Sequence, residues 1–150
     1  MSEPPPTTND HFVYRVINPT NWDKAKDRPK PTAFKQSQGR ALSVFSAELQ
    51  TPRGALQHHI DAWNKQLVSD EHLEREKAAR NLADFGDTVE KLVDNGYHVV
   101  RVPLIEFARR DFEISDPEPN GHRDIRGDFD THKRDLALAA EPLSSERCLM

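Results

Sequence analysis

Apolar and polar positions change period several times along this chain, and each change marks an element. Residues 11–17 alternate, with Phe12, Tyr14 and Val16 on one side and Val13, Arg15 and Ile17 on the other. A short alternation of β-branched and aromatic residues predicts a strand, and Asn18-Pro19 ends it with turn chemistry. Residues 41–47 form a second strand, with Leu42, Val44 and Ser46 opposite Ser43 and Phe45. The period then lengthens. Thr51-Pro52 sets an N-cap hydroxyl before a proline at the first helical position. Leu56, Ile60, Trp63 and Leu67 follow at the spacing of an amphipathic helix. Residues 71–95 continue in helical period through Leu73, Leu82, Phe85, Val89, Leu92 and Val93, broken at Gly86-Asp87 and stopped at Asn95-Gly96. After Gly96 the period returns to two. Residues 97–102 predict a strand, Pro103 opens a helical turn through Phe107, and 112–115 and 122–127 read as short strands separated by proline turns. A last helix covers 133–140. The order strand, strand, helices, strands predicts an α+β domain with a small, mostly antiparallel sheet and a helical middle segment, not a parallel doubly wound sheet.

The polar stretches set the boundaries. Residues 2–10 carry no apolar side chain, so they cannot offset their own ordering entropy and are expected to be a disordered arm. Residues 22–40 are a proline-broken polar loop pinned by Trp22, Ala33 and Phe34; loops of that length are usually functional or mobile. Residues 141–150 read as a flexible tail, leaving a single domain over 11–140. A chain of 150 residues suits one domain, and 35% hydrophobic against 31% charged residues allows a modest core. The net charge of −4 supplies no global basic field to attract nucleic acid. The single cysteine excludes an internal disulfide framework and a multi-cysteine zinc site. No run approaches 18 apolar residues, and the Met1 end has no secretory signal pattern. A soluble, cytoplasmic protein without a membrane contact is expected.

Candidate chemistry is sparse. The six glycines form neither a phosphate-binding loop nor a dinucleotide fingerprint. His122, Asp124, Asp128 and His132 crowd one region, but Arg123, Arg126, Lys133 and Arg134 are interleaved, and a solvated charged turn is the plainer reading; no metal is expected. His58 and His59 are adjacent, so on a helix they point about 100° apart. Cys148 sits in the expected tail. Lys24, Lys26, Arg28, Lys30 and Lys35 accompany Trp22 and Phe34, a pattern that can track single-stranded nucleic acid, although Asp23 and Asp27 dilute the charge and no nucleic acid partner is expected. Arg15 stands out inside an apolar strand. It is either an edge residue whose guanidinium reaches water or a forked anchor for phosphate or carboxylate. Ser43 on the second strand is its natural neighbour if the two strands pair, and the two would make a small-ligand corner.

Two segments resemble known proteins. Tyr14-Arg15-Val16-Ile17-Asn18-Pro19, then Ala33-Phe34 and Leu42-Ser43-Val44, is similar to the opening of a family of small uncharacterised bacterial and cyanobacterial proteins. Asp116-Pro117-Glu118-Pro119-Asn120-Gly121-His122, with Ile125, Gly127, Leu136-Ala137 and Ala139-Ala140, resembles their closing motif. That resemblance implies a fold unit and no particular reaction. Arg15 and Ser43 also resemble the first two positions of the ADP-ribosyltransferase superfamily and of RES toxins, with Val16 where a glycine commonly follows the arginine. This likeness implies NAD as cofactor or substrate. Arg15 would clamp the pyrophosphate, Ser43 would position the nicotinamide ribose, and a later carboxylate, Glu106 or Glu113, would stabilise the developing positive charge.

Two functions follow. The first is a non-catalytic binding or adaptor domain with a protein partner and no cofactor, an accessory to a larger bacterial system. The alternative is an NAD-directed enzyme using Arg15, Ser43 and Glu113. The oligomeric state is not legible.

Overall fold

The computed structural model describes residues 12–35 and 40–150; the expected arm lies outside them. The chain begins with β1 (Phe12–Ile17), a 3-10 turn (Pro19–Asn21), the hairpin β2 (Trp22–Asp23) and β3 (Arg28–Pro29), a second 3-10 turn (Pro31–Phe34) and β4 (Leu42–Ser46). Helices α1 (Pro52–Leu67), α2 (His72–Phe85) and α3 (Val89–Asp94) follow. The second half comprises β5 (His98–Pro103), α4 (Leu104–Ala108), β6 (Glu113–Ile114), β7 (His122–Arg126), α5 (Phe129–Ala139), β8 (Glu141–Pro142) and α6 (Ser145–Leu149). Six strands form one antiparallel sheet in the order β6-β7-β4-β1-β5-β8, and β2-β3 pair separately. The fold is α+β with an antiparallel sheet, as the order of periods predicts.

Helices cover both faces of the sheet. On one face Val13, Ile17, Leu42, Val44, Val100, Val102 and Ile125 pack against Phe34, Phe107, Phe129 and Leu136. On the other, Tyr14, Phe45 and Val99 pack against Leu56, Ile60 and Trp63 of α1, Val89 and Leu92 of α3, and Cys148 of α6. Alternate residues of one strand therefore feed two cores, which is why both sides of β1 are apolar. Helix α1 starts at the expected cap, and α3 has a threonine cap of its own. Thr51 Oγ1 accepts from the Gly54 N–H at 2.9 Å, and Thr88 Oγ1 from the Lys91 N–H at 3.2 Å.

Two expectations need correction. Arg15 is not on an edge, because β1 lies between β4 and β5. Residues 141–150 are not a flexible tail: β8 pairs with β5, and Leu143 and Cys148 are buried. A few inward-facing side chains suffice to dock such a segment, and they are invisible against its polar average. The two aromatics of the 22–40 loop are both engaged within the fold. Phe34 is fully buried and the Trp22 ring stacks on His98 at 3.7 Å, so the loop's basic residues lack the stacking platform that single-strand binding uses.

Candidate functional site

The site begins with a defect in the sheet. β1 pairs with β5 along its whole length, from Phe12 opposite Pro103 to Ile17 opposite His98. Against β4 the ladder holds only at Val13–Ser46 and Tyr14–Phe45. Continued, that register would set Arg15 opposite Val44 and Val16 opposite Ser43, and neither ladder step forms. Arg15 takes over the missing bonds. Its Nη1 donates to the Ser43 carbonyl at 2.9 Å, while Nε and Nη2 both donate to the Ala33 carbonyl at 3.3 Å. The guanidinium thus bridges the opening between the two strands. Three of its five N–H groups are used this way, leaving one on each terminal nitrogen. No carboxylate pairs with it among the described residues, and burial pushes its pKa down to about 10, so it remains a cation at neutral pH.

The opening leads to a cavity of about 200 Å³ whose walls are Arg15, Val16, Ser43 and Phe45 of the sheet and His58, His59 and Ala62 of α1. His59 also walls a second cavity of about 320 Å³, lined by Trp63, Phe85 and Tyr97. Desolvation, then the Arg15 charge, then His58, hold the His59 pKa down to about 4, so its ring is neutral at pH 7. Burial and the neighbouring His122 lower the His58 pKa as well, against smaller opposing effects of Asp61 and Glu118.

Ser43 has a second partner. Phe45 lies opposite His122 and Ser43 opposite Asp124 across the β4–β7 ladder, so Ser43 and His122 are diagonal neighbours on one face, within reach of an imidazole. Ser43 Oγ is 2.7 Å from His122 Nε2, and His122 Nδ1 is 2.5 Å from Glu118 Oε2. Asp124 Oδ1 stands farther off, at 3.5 Å from Nε2. A carboxylate only accepts, so Nδ1 carries the proton shared with Glu118, and in the neutral ring Nε2 then accepts from the Ser43 hydroxyl. The His58 ring lies nearly parallel to that of His122, with centroids 6.0 Å apart.

A tight turn aims Glu118 at His122. The Gly121 N–H donates to the Glu118 carbonyl at 2.8 Å, and the Glu118 N–H to the His122 carbonyl at 2.9 Å. Gly121 has φ +89°, where a Cβ would also stand 3.2 Å from the Cβ atoms of Leu49 and Gln50, so glycine suits the turn. The Gly121 carbonyl accepts from the Ser46 N–H at 2.7 Å, tying the turn to the end of β4.

Of the residues singled out in the sequence, Arg15 and Ser43 come together and Glu113 does not. Glu113 is exposed on the edge strand β6 opposite Arg126. Glu106 pairs with Arg109 and Arg110. The histidine–aspartate cluster splits in two: His122 and Asp124 are neighbours, while Asp128 caps α5 near His132, which also contacts Phe112. No group of three or more metal-ligating side chains forms among the described residues. Nothing in the sequence marks His58, His59 or Glu118 as site residues, and the signal that finds them is tertiary: the β4–β7 register and the packing of α1 across the opening. Compared with family models, curated proteins and solved structures, the chain matches none.

Proposed function

We propose that this chain binds a small organic anion, carrying a carboxylate or phosphate, in the cavity between β1, β4 and α1. The observation that supports this most is Arg15. A half-buried guanidinium without a carboxylate partner is unfavourable, and this one lines a cavity with two N–H groups uncommitted. An incoming anion would supply the missing countercharge and a forked partner. Ser43 and the neutral His59 add polar groups to the same walls, and about 200 Å³ limits the bound portion to a few heavy atoms. A thermal-shift titration with acetate, malonate, phosphate and NAD in separate arms tests it. A ligand at a hundred times its dissociation constant adds about 2.7 kcal/mol, a rise of roughly 5–10 °C for a domain of this size. The rise should disappear in Arg15→Met, and a flat response to every anion rejects the proposal. The NAD arm addresses the ADP-ribosyltransferase-like reading, which Arg15 and Ser43 favour but which has no carboxylate on the cavity wall. For that reading to lead, NAD must raise the melting temperature where phosphate does not.

A second reading, a protein-binding adaptor, is favoured by the corner between α1 and α2. Val68 and Leu73 there are 81% and 73% exposed. If this corner docks a partner, Val68→Asp with Leu73→Asp abolishes co-purification of that chain. Capture unaffected by the pair removes the corner from consideration.

A further inference from the structure

We propose that Ser43 is the nucleophile of an acyl-transfer reaction on short-chain carboxylic esters, with His122 as general base and Glu118 as its positioning residue. The inference rests on the anion-binding reading in one respect: the carboxylate product would be the anion that Arg15 holds. The geometry carries the rest. A serine hydroxyl is a weak nucleophile until a base within hydrogen-bond reach accepts its proton and a third group orients that base. Such constellations are recognised by their geometry and roles, whatever the fold. Here the chain Ser43 Oγ to His122 Nε2 to Nδ1 to Glu118 runs through contacts of 2.7 and 2.5 Å, and the order of the two imidazole nitrogens is the one the chemistry needs. Ser43 also lines the cavity, so the reacting carbon has a place to stand. Arg15, bonded to the carbonyl of Ser43 itself, sets uncommitted N–H groups beside the nucleophile, where negative charge would develop on the substrate oxygen.

The step balances as follows. The Ser43 hydroxyl proton passes to His122 Nε2 as Oγ bonds to the ester carbonyl carbon. The bond from that carbon to the alkoxy oxygen then breaks, and Nε2 returns the proton to the departing alcohol. Water attacks the resulting acyl-serine, giving its proton to Nε2. The carboxylic acid leaves as Ser43 Oγ recovers that proton. No oxidant or metal enters. The Glu118 carboxylate holds the ring in its productive tautomer and stabilises the imidazolium between the two transfers. The cavity volume restricts the acyl group to a few carbons.

The test is covalent labelling of the full chain with a fluorophosphonate, read by intact mass and peptide mapping, beside hydrolysis of p-nitrophenyl acetate. We expect a single adduct on Ser43, absent from Ser43→Ala. In His122→Gln labelling should slow by about 100-fold or more, the usual contribution of a general base. Glu118→Gln should slow labelling about tenfold, and Glu118→Asp, which keeps a carboxylate, should restore most of the rate; a merely structural role would not separate the two variants. Acetate should protect Ser43 in proportion to its occupancy. An unlabelled wild-type chain that melts normally and still responds to acetate overturns the serine chemistry and leaves anion binding standing. An adduct on any residue other than Ser43 overturns it too. Labelling of Ser43 with neither acetate protection nor an acetate thermal shift rejects the anion reading alone. Because the wild-type result decides the question, a misfolding variant cannot mask it.

Discussion

His59 offers a direct measurement of the electrostatics of this site. Its ring meets the edges of Trp63 and Tyr97 with centroids 5.1 and 5.6 Å away, and burial first, then the Arg15 charge, lowers its pKa from 6.5 to about 4. The unfolded chain takes up a proton near pH 6.5 that the folded chain refuses until near pH 4. Stability contributed by the neutral ring is therefore complete above pH 6.5 and lost as the pH falls toward 4. At about 1.4 kcal/mol per tenfold difference in proton affinity, the full loss is about 3 kcal/mol, and about 2 kcal/mol of it is gone by pH 5. The assay is urea unfolding of wild type and His59→Asn at several pH values between about 7.5 and 5, compared as a difference so that groups common to both cancel. His58, whose pKa is also lowered, is present in both proteins. The variant should start less stable, having lost its aromatic contacts, and the gap should close by about 2 kcal/mol on going to pH 5, or roughly 4–8 °C in melting temperature. Parallel profiles would refute the argument, since they would mean that the His59 ring is hydrated and titrates normally.

Other outcomes follow from the same packing. Arg15→Met removes three donors but also relieves the burial of an uncompensated cation. Water entering the cavity can satisfy the Ser43 and Ala33 carbonyls, so equilibrium unfolding should change by less than about 2 kcal/mol while the anion-induced thermal shift disappears. Phe34→Ala empties a fully buried position that pins the 22–40 loop to α5 and should cost about 3–5 kcal/mol in urea unfolding. Gly86→Ala asks an alanine to adopt φ +105° with its Cβ 2.3 Å from that of Lys91, and a loss of about 1–3 kcal/mol is expected in the same assay. Glu113→Gln, on the exposed edge strand, should leave Ser43 labelling unchanged.

The two halves of the site differ in how far they could be read from the chain. Arg15 and Ser43 drew notice because each is a polar residue inside an apolar strand, and the structure brings them into contact through the Ser43 carbonyl. His122 and Glu118 lie within four residues of each other in a turn that looks merely solvated. Their link to Ser43 spans 79 positions in sequence and exists only because β7 pairs with β4 in one register. Slipping that pairing by a single residue would turn His122 to the opposite face. Glu113 shows the converse: proximity in sequence to a strand does not place a carboxylate near Arg15.

The α+β class, the strands β1, β4 and β5, the capped helix α1 and the stop at Gly96 are all properties of local period and turn chemistry, and the amino-acid order by itself determined them. A residue's period says which side of its own element it lies on, because backbone geometry repeats every two or 3.6 residues regardless of what surrounds it. Which strand flanks which is decided by burying both faces of the sheet at once, and no local window contains that constraint. The central place of β1, the docking of residues 141–150 and the opening that Arg15 bridges therefore came only with the tertiary structure. A hydrogen-bonded relay across two strands and a turn demands placement to within a few tenths of an ångström, and only the packed cores on either side of the sheet hold side chains that firmly.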